Sequence, residues 1–255
     1  MAELTPMMQK YMETKEQYKD CILFYRLGDF YEMFFDDALV ASKELEITLT
    51  GKSCGLEERA PMCGIPYHAV EGYLSKLVSR GYKVAICEQV EDPKLAKGLV
   101  KREVIRVVTP GTNLNVQSLE AGKNNYLLSI AYTSDGIGIS AADVTTGDYY
   151  VTEVEDLKKL NDELMKYEPS EIICNEAFLV SGFDVNDLKS RLHISVNALE
   201  SHMFDDDGCR RILMKHFKVN TLIGLGVEEF PTGLLAAGAL LQYLYDTQKT
   251  DLEHF

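Results

Sequence analysis

The sequence predicts a mixed α/β (α+β) protein built from two domains. At 255 residues the chain is long enough for two cores of ordinary size. Strand-like apolar runs alternate with amphipathic helical segments in both halves, and the stretch between the halves has no periodic apolar pattern. We therefore predict a first domain over residues 1–113, a linker over 114–124 and a second domain over 125–255.

Strand and helix signals follow one another along the first half. Thr5 and Pro6 are a typical helix start, because threonine caps the free backbone N–H groups and proline fits the first turn. The predicted elements are a helix from there to about Lys19, a hairpin of residues 22–26 and 30–35 around the turn Leu27-Gly28-Asp29, a helix capped by Asp36-Asp37, a loop over 51–62, a helix ending near Gly81, and strands over 82–90 and 103–109.

The second half begins with closely spaced strand signals and continues as α/β. The predicted elements are a three-strand meander of residues 126–132, 137–144 and 149–154, a helix over about 156–166, a strand over 172–174, a helical region over 183–192, a strand over 193–196, a helix over 205–217, and a long apolar helix from Pro231 to about Gln248. This last helix is short for a membrane span and is predicted to be buried.

Composition places the chain among ordinary soluble proteins, with 46% hydrophobic and 26% charged residues. It contains no apolar run of the length that spans a membrane and no signal-peptide pattern, so we expect a cytoplasmic protein. The six cysteines lack C-x-x-C spacing and the five histidines lack metal-site spacing, so we expect buried thiols and no metal site.

The net charge of -14 is unevenly distributed. Residues 1–124 contain 16 basic and 18 acidic side chains, whereas residues 125–255 contain 10 and 22. Within the first half, the segment from Lys76 to Arg106 has eight basic residues against four acidic ones. An acidic protein is a poor general binder of nucleic acid, but a local basic patch in the first domain is compatible with DNA contact or with an ordinary solvated face.

Two patterns that suggest enzymatic chemistry fail on inspection. Thr50-Gly51-Lys52-Ser53 resembles the end of a phosphate-binding loop, yet the glycine required five positions before Gly51 is replaced by Glu46. The element order of the second half matches the ribonuclease H fold, whose nucleases hold metal-binding carboxylates on the first strand. Here that strand carries none, and Asp143 alone on the second strand cannot build a two-metal site.

The predicted hairpin strand from residue 30 is unusual because it places an acid among aromatic rings. Alternation along a strand puts Phe30, Glu32 and Phe34 on one face, with Tyr31, Met33 and Phe35 on the other. From composition alone, Phe30 is best explained as ordinary core packing, with Glu32 at an exposed edge. A surface that binds a ligand through both side chains is the alternative.

A resemblance that covers the whole chain favours the second interpretation. The segments PMMQKYM (6–12), FYRLGDFYEMF (24–34), PMCGIPYHAVE (61–71), VAICEQ (84–89) and RVVTPGT (106–112) are similar, in order and spacing, to landmarks of the MutS family of DNA mismatch-recognition proteins. The second half resembles the connector domain of that family through Asp143-Val144-Thr145-Thr146-Gly147 and its ribonuclease H-like element order.

The resemblance implies a mixed-sheet mismatch-recognition domain followed by a ribonuclease H-like connector. In the family's G-D-F-Y-E motif the phenylalanine stacks on a mispaired base from the minor groove and the glutamate hydrogen-bonds it, so Phe30 and Glu32 take these roles by similarity. Insertion of a ring costs less at a mismatch, where pairing and stacking are already weakened. We expect Lys101 and Arg102 to contact the DNA backbone.

The family also implies partners and cofactors that lie largely beyond this sequence. We expect a fragment that precedes the ATPase, with no cofactor of its own, whereas the full-length protein uses ATP and magnesium and forms a homodimer. The partners expected here are mismatched double-stranded DNA and, through the connector, a MutL-like protein. DNA binding by the fragment is expected to be weak and sensitive to salt.

Two other functions remain open at this point. A ribonuclease H-like nuclease would cleave nucleic acid in a metal-dependent reaction that Asp143→Asn abolishes. A family paralogue that binds branched DNA and ignores mismatches is the other, although such relatives tend to lack the Phe-x-Glu pair present here.

Overall fold

The computed structural model describes residues 3–114, 123–250 and 252–255. Contacts divide the chain into two compact units, Met1–Thr109 and Pro110–Phe255. The predicted linker over 114–124 falls mainly on residues 115–122, which lie outside the described residues. None of the described helices combines the length and the apolar character that crossing a membrane requires.

The first unit packs helices against both faces of one sheet. Its elements, in chain order, are α1 (Pro6–Gln17), β1 (Cys21–Leu27), β2 (Phe30–Phe34), α2 (Phe35–Leu45), β3 (Thr50–Lys52), β4 (Ala60–Pro66), α3 (Val70–Val78), β5 (Lys83–Gln89) and β6 (Arg102–Val108). Within residues 3–114 these strands form a six-stranded sheet of order β3-β4-β2-β1-β5-β6. The β1–β5 pair is parallel and the other neighbours are antiparallel.

Alternation along the strands separates two cores on opposite faces of this sheet. One face includes Phe24, Tyr31 and Met33 and packs against α2 and α3. The opposite face includes Tyr25 and Phe34 together with residues of α1. Burial of apolar side chains therefore holds the helices on both faces of the sheet. The predicted start of α1 is confirmed, because the Thr5 side chain accepts a hydrogen bond from the N–H of Met8 and Pro6 follows.

Three local predictions in this unit are wrong. The segment 51–62 is not a loop throughout, since β3 and the start of β4 lie within it. Residue Phe35 leaves the strand and begins α2 with a positive φ of 52°. Asp36 and Asp37 are in the first turn of α2 rather than at its cap, and Asp37 is buried, where its carboxylate accepts hydrogen bonds from Lys15 and from the N–H of Leu23.

The second unit is a sheet with helices on both faces. Its elements are β7 (Tyr126–Tyr132), β8 (Ile137–Asp143), β9 (Asp148–Val154), α4 (Leu157–Tyr167), β10 (Glu171–Cys174), α5 (Glu176–Leu179), α6 (Val185–Ser190), β11 (Ser195–Ala198), α7 (Asp206–Phe217) and α8 (Pro231–Gln248). Over the described part of this unit the strands form a five-stranded sheet of order β11-β10-β7-β8-β9.

The predicted meander is confirmed, because β7, β8 and β9 pair antiparallel in sequence order, while β10 and β11 extend the sheet in parallel. Helix α8 packs on β7 and β8 together with α7. Residues of α4 and α6 belong to the core on the other face. The burial predicted for α8 is confirmed, since its apolar and small side chains are almost all enclosed.

Candidate nucleic-acid interface

The hairpin of β1 and β2 positions Phe30 at its tip. A two-residue turn joins the strands, with Gly28 in the left-handed region at φ 58°, where glycine has no Cβ to strain. Phe30 is the first residue of β2 and pairs with Leu27. Its side chain is 47% exposed, so the interpretation of Phe30 as ordinary core packing is wrong.

The same strand face becomes buried a few residues further along. Phe34 is 1% exposed because its ring packs edge-on against Tyr11 of α1, with ring centroids 4.9 Å apart. The predicted alternation is confirmed for Tyr31 and Met33, which lie in the core of the opposite face, and is wrong for Phe35, which packs in the same cluster as Phe34. The face that begins with Phe30 is therefore covered at one end of β2 and open at the other.

Glu32 lies between the open and the covered end of this face. Its side chain is 15% exposed, and Oε2 accepts a hydrogen bond from Lys52 Nζ at 2.6 Å. The Lys52 ammonium also lies 5.6 Å from the centre of the Phe34 ring. The sequence does not indicate this role of Lys52, because β3 has only three residues and lies at the start of a polar segment that resembles a loop.

Gly64 keeps the space beside these two side chains open. It pairs with Glu32 across β2 and β4. A Cβ at this position would lie 3.6 Å from Glu32 Cγ and 4.0 Å from Phe30 Cδ1. The Phe30 ring and the Cγ methylene of Glu32 thus border the same space above one glycine, which has no side chain of its own to fill it.

A polar network on the other face fixes the tip of the hairpin. The Arg26 guanidinium lies 3.8 Å from the centre of the Tyr67 ring, and its Nε donates to the carbonyl of Gly28 at 2.5 Å. Glu88 accepts hydrogen bonds from Arg26 and from the hydroxyl of Tyr31. Burial, together with the hydrogen bond to Glu88, raises the pKa of Tyr31. The tip is therefore tied to β5 and to the segment after β4, which limits the motion of Phe30.

Lys101 and Arg102, the predicted backbone-contacting residues, differ in their surroundings. Lys101 is exposed and pairs with Glu103 at 2.6 Å, and the hydrogen bond that its ammonium donates to Glu103 raises the pKa of Lys101. Arg102 is half-buried: its Nε donates to the carbonyl of Arg26 at 2.7 Å, and its guanidinium lies 5.3 Å from the ring centre of Tyr25. Lys101 is exposed at the surface, whereas Arg102 also joins β6 to β1 close to the tip of the hairpin.

The one carboxylate weighed for nuclease chemistry has a structural role in the second unit. Asp143 at the end of β8 is fully buried. Its carboxylate accepts hydrogen bonds from the N–H of Asn125 at 3.0 Å and from both the N–H and the hydroxyl of Thr145. Among the residues described, no group of three or more histidine, cysteine or acidic side chains is arranged to hold a metal ion.

Fold and site together define a class of protein: two α/β units, the second with the sheet order of ribonuclease H, and the first presenting an exposed ring beside an acid on one strand face. Comparison with known families is consistent with both units. A family profile described as MutS domain I matches residues 5–117, and one described as MutS domain II matches residues 125–255. The chain belongs to the MutS family.

Relatives named DNA mismatch repair protein MutS match over the whole chain. The protein of Lachnoclostridium phytofermentans is 67% identical over 254 residues, covering 100% of this chain and 27% of its own length. The proteins of Ruminiclostridium cellulolyticum and Acetivibrio thermocellus are 52% and 53% identical, covering 100% of this chain and 29% of their own lengths. The chain therefore spans little more than a quarter of the relatives it matches.

Proposed function

We propose that this chain recognises mismatched DNA in mismatch repair, with Phe30 as the stacking residue. The observation that carries the proposal is the 47% exposure of a phenylalanine at the tip of a braced hairpin. An exposed ring on a rigid support can enter a base step without first unfolding its own core. Stacking on a base tolerates many geometries, which suits a protein that must accept several kinds of mismatch.

Glu32 supplies selectivity in this proposal. A carboxylate close to DNA is unfavourable unless a base donates a hydrogen bond to it, and a base that stays paired and stacked does not reach the carboxylate beside an inserted Phe30 ring. The Glu32 side chain and the Phe30 ring border the same space above Gly64, so one unstacked base at this position could contact both residues. Lys101 and Arg102 hold the phosphate backbone in this proposal, Lys101 from an exposed position and Arg102 from beside the tip of the hairpin.

The remaining proposed roles require a protein of the full length of the relatives. We propose that the second unit acts as a connector that relays the state of the first unit to an ATPase and docks a MutL-like partner, in a cytoplasmic homodimer. ATP and magnesium would bind outside the residues described here, since Lys52 lies on a strand and pairs with Glu32 rather than standing in a phosphate-binding loop.

Binding of mismatched and fully paired duplexes tests the proposal. Fluorescence anisotropy is measured for a protein of the relatives' full length that carries this sequence, with a G·T duplex and its matched homoduplex. Phe30→Ala should reduce the preference for the mismatch about tenfold, because one base stack is lost. Tyr150→Ala, which removes an exposed ring from the second unit, should leave it unchanged. An unchanged preference in Phe30→Ala contradicts the proposal.

A further inference from the structure

The Lys52–Glu32 pair connects two segments that are far apart in sequence. Lys52 is the last residue of β3, and in the sheet order β3-β4-β2 its side chain must cross β4 to reach Glu32. It is only 35% exposed, and its ammonium is close both to Glu32 Oε2 and to the ring of Phe34. Lys52 is thus held over the covered end of the face whose open end carries Phe30.

The pairing engages one of the two carboxylate oxygens. Oε2 of Glu32 accepts the hydrogen bond from Lys52, whereas Oε1 accepts none from the residues that the structure describes. Glutamate has three rotatable side-chain bonds, so an unpaired carboxylate at this position could turn towards water. A partner on one oxygen restricts that rotation and leaves the second oxygen as an acceptor on the strand face that Glu32 shares with Phe30.

We propose that Lys52 is a specificity-determining residue that acts through Glu32: it fixes the carboxylate so that the free oxygen meets the base on which Phe30 stacks. This inference rests on the proposed function of Phe30 and Glu32. In a regular duplex no base leaves the stack to donate to the fixed anion, which therefore opposes binding, whereas at a mismatch the anion accepts a hydrogen bond. Without Lys52 the carboxylate can turn away from a regular duplex, so it opposes binding less. It also forms the hydrogen bond at a mismatch less often, and the ratio of the two affinities falls.

A lysine near DNA can also act as a simple phosphate contact, and the two roles differ in a measurable way. A phosphate contact strengthens binding to matched and mismatched duplexes alike, so it cancels in the ratio of the two affinities. Positioning of Glu32 changes the ratio itself, and only while Glu32 is present. The decisive quantity is therefore the affinity ratio in two backgrounds, with and without the carboxylate.

The experiment measures mismatch and homoduplex affinities of the relatives' full-length protein carrying this sequence, for Lys52→Met, Lys52→Arg, Glu32→Gln and the double variant Lys52→Met/Glu32→Gln. Lys10→Met is the matched control, because Lys10 forms a pair of similar length, 2.7 Å, with Glu13 on α1. Thermal unfolding of each variant checks that β3 remains folded.

We expect Lys52→Met to lower the affinity ratio about fivefold. Lys52→Arg, which can still pair with Glu32, should restore it, and Lys10→Met should not change it. In the Glu32→Gln background, Lys52→Met should leave the ratio unchanged. Two outcomes of Lys52→Met in the protein that retains Glu32 overturn the inference. An equal loss of affinity for both duplexes, with the ratio preserved, would make Lys52 a phosphate contact. A rise in the ratio would make it an antagonist of Glu32.

Failure of the inference is distinguishable from failure of the proposed function. If Phe30→Ala keeps the mismatch preference, the proposed role of the hairpin is wrong whatever Lys52 does. If Phe30→Ala loses the preference and Lys52→Met keeps it, only the role of Lys52 is wrong. A wild-type protein without any preference contradicts both.

Discussion

The open end of β2 and the interior of the second unit hold the same kinds of residue in opposite settings. Phe30 is half exposed, whereas Phe178 of α5 is fully buried. Glu32 has one lysine partner at the surface, whereas Glu171 of β10 is fully buried among hydrogen-bond donors. Residue type alone therefore does not separate a side chain exposed at a surface from one that holds the fold.

Glycine shows the same contrast. A Cβ on Gly64 would make only ordinary contacts, and its absence keeps open the space beside Phe30. A Cβ on Gly138 of β8 would overlap the backbone carbonyl of Thr232, at the start of α8. Gly64 leaves space open on the face of Phe30, and Gly138 allows a helix to approach a strand. On the proposed function, a substitution at Gly64 should affect DNA binding, whereas one at Gly138 should affect stability.

The largest difference is expected between the two phenylalanines. Phe178→Ala should lower the free energy of unfolding by about 4 kcal/mol, because a fully buried ring leaves a cavity. Phe30→Ala should change it by less than about 0.5 kcal/mol, since its ring makes little core contact. Guanidinium unfolding of the 255-residue chain measures both. A loss of several kcal/mol in Phe30→Ala would mean that the hairpin tip is part of a core.

The two glutamates give the next contrast. Glu171 accepts hydrogen bonds from the N–H of Gly111 at 3.0 Å and from the hydroxyl of Tyr243 at 2.7 Å, so Glu171→Ala leaves buried donors unsatisfied. We expect the unfolding free energy to fall by about 3 kcal/mol. Glu32→Ala should leave stability nearly unchanged, because the half-exposed Lys52 ammonium can turn to water. Unfolding of both variants is monitored by circular dichroism. Similar losses of stability in the two variants would show that Glu32 supports the fold as Glu171 does.

Much of this contrast could be predicted from the sequence, because strand alternation is a local property. The hairpin and the meander have compact apolar runs joined by turn residues, so their bounds and faces were anticipated closely. Placing Phe30 at the surface requires further information, because alternation shows which face of the strand a side chain is on but not whether a helix packs on that face. The family resemblance supplied that information, and the structure shows that α1 covers the face only as far as Phe34.

Other features depend on contacts between distant segments and left no local signal. The pairing of Lys52 with Glu32 needs β3, whose three residues are too short and too polar for a periodic pattern. Asp37 looked like a helix cap because aspartate favours that position, but its carboxylate instead joins α1, β1 and α2 in the interior. Tertiary hydrogen bonding outweighed local preference there.

The glycine pair should give a smaller effect than the two glutamates. Gly138→Ala forces β8 and α8 apart, and overpacking of this kind costs about 2 kcal/mol. Gly64→Ala should change stability by less than about 0.5 kcal/mol, because its new methyl group meets neighbours at ordinary contact distances. Thermal unfolding distinguishes the two. Tolerance of alanine at Gly138 would show that α8 has more freedom than its packing indicates.

The smallest effect at neutral pH concerns the buried cysteines, which occur in both units. Burial raises the pKa of Cys87 in the first unit and of Cys174 in the second to about 12, from an ordinary value of 9.0. The folded state therefore prefers the protonated thiols. Their contribution to stability is complete below about pH 9 and is lost as the pH rises from there towards 12.

Thiol labelling during denaturant unfolding checks this and also ranks the two units. Below pH 9 the thiols should react only as fast as their own unit opens, because the thiolate is the reactive form and burial suppresses it. Raising the pH from 8 to 10 should shift the unfolding midpoint to lower denaturant, and Cys174→Ala should reduce that shift if the second unit unfolds first. Rapid labelling of Cys87 or Cys174 in the native protein would show that its unit opens locally, and would separate the two units by their flexibility.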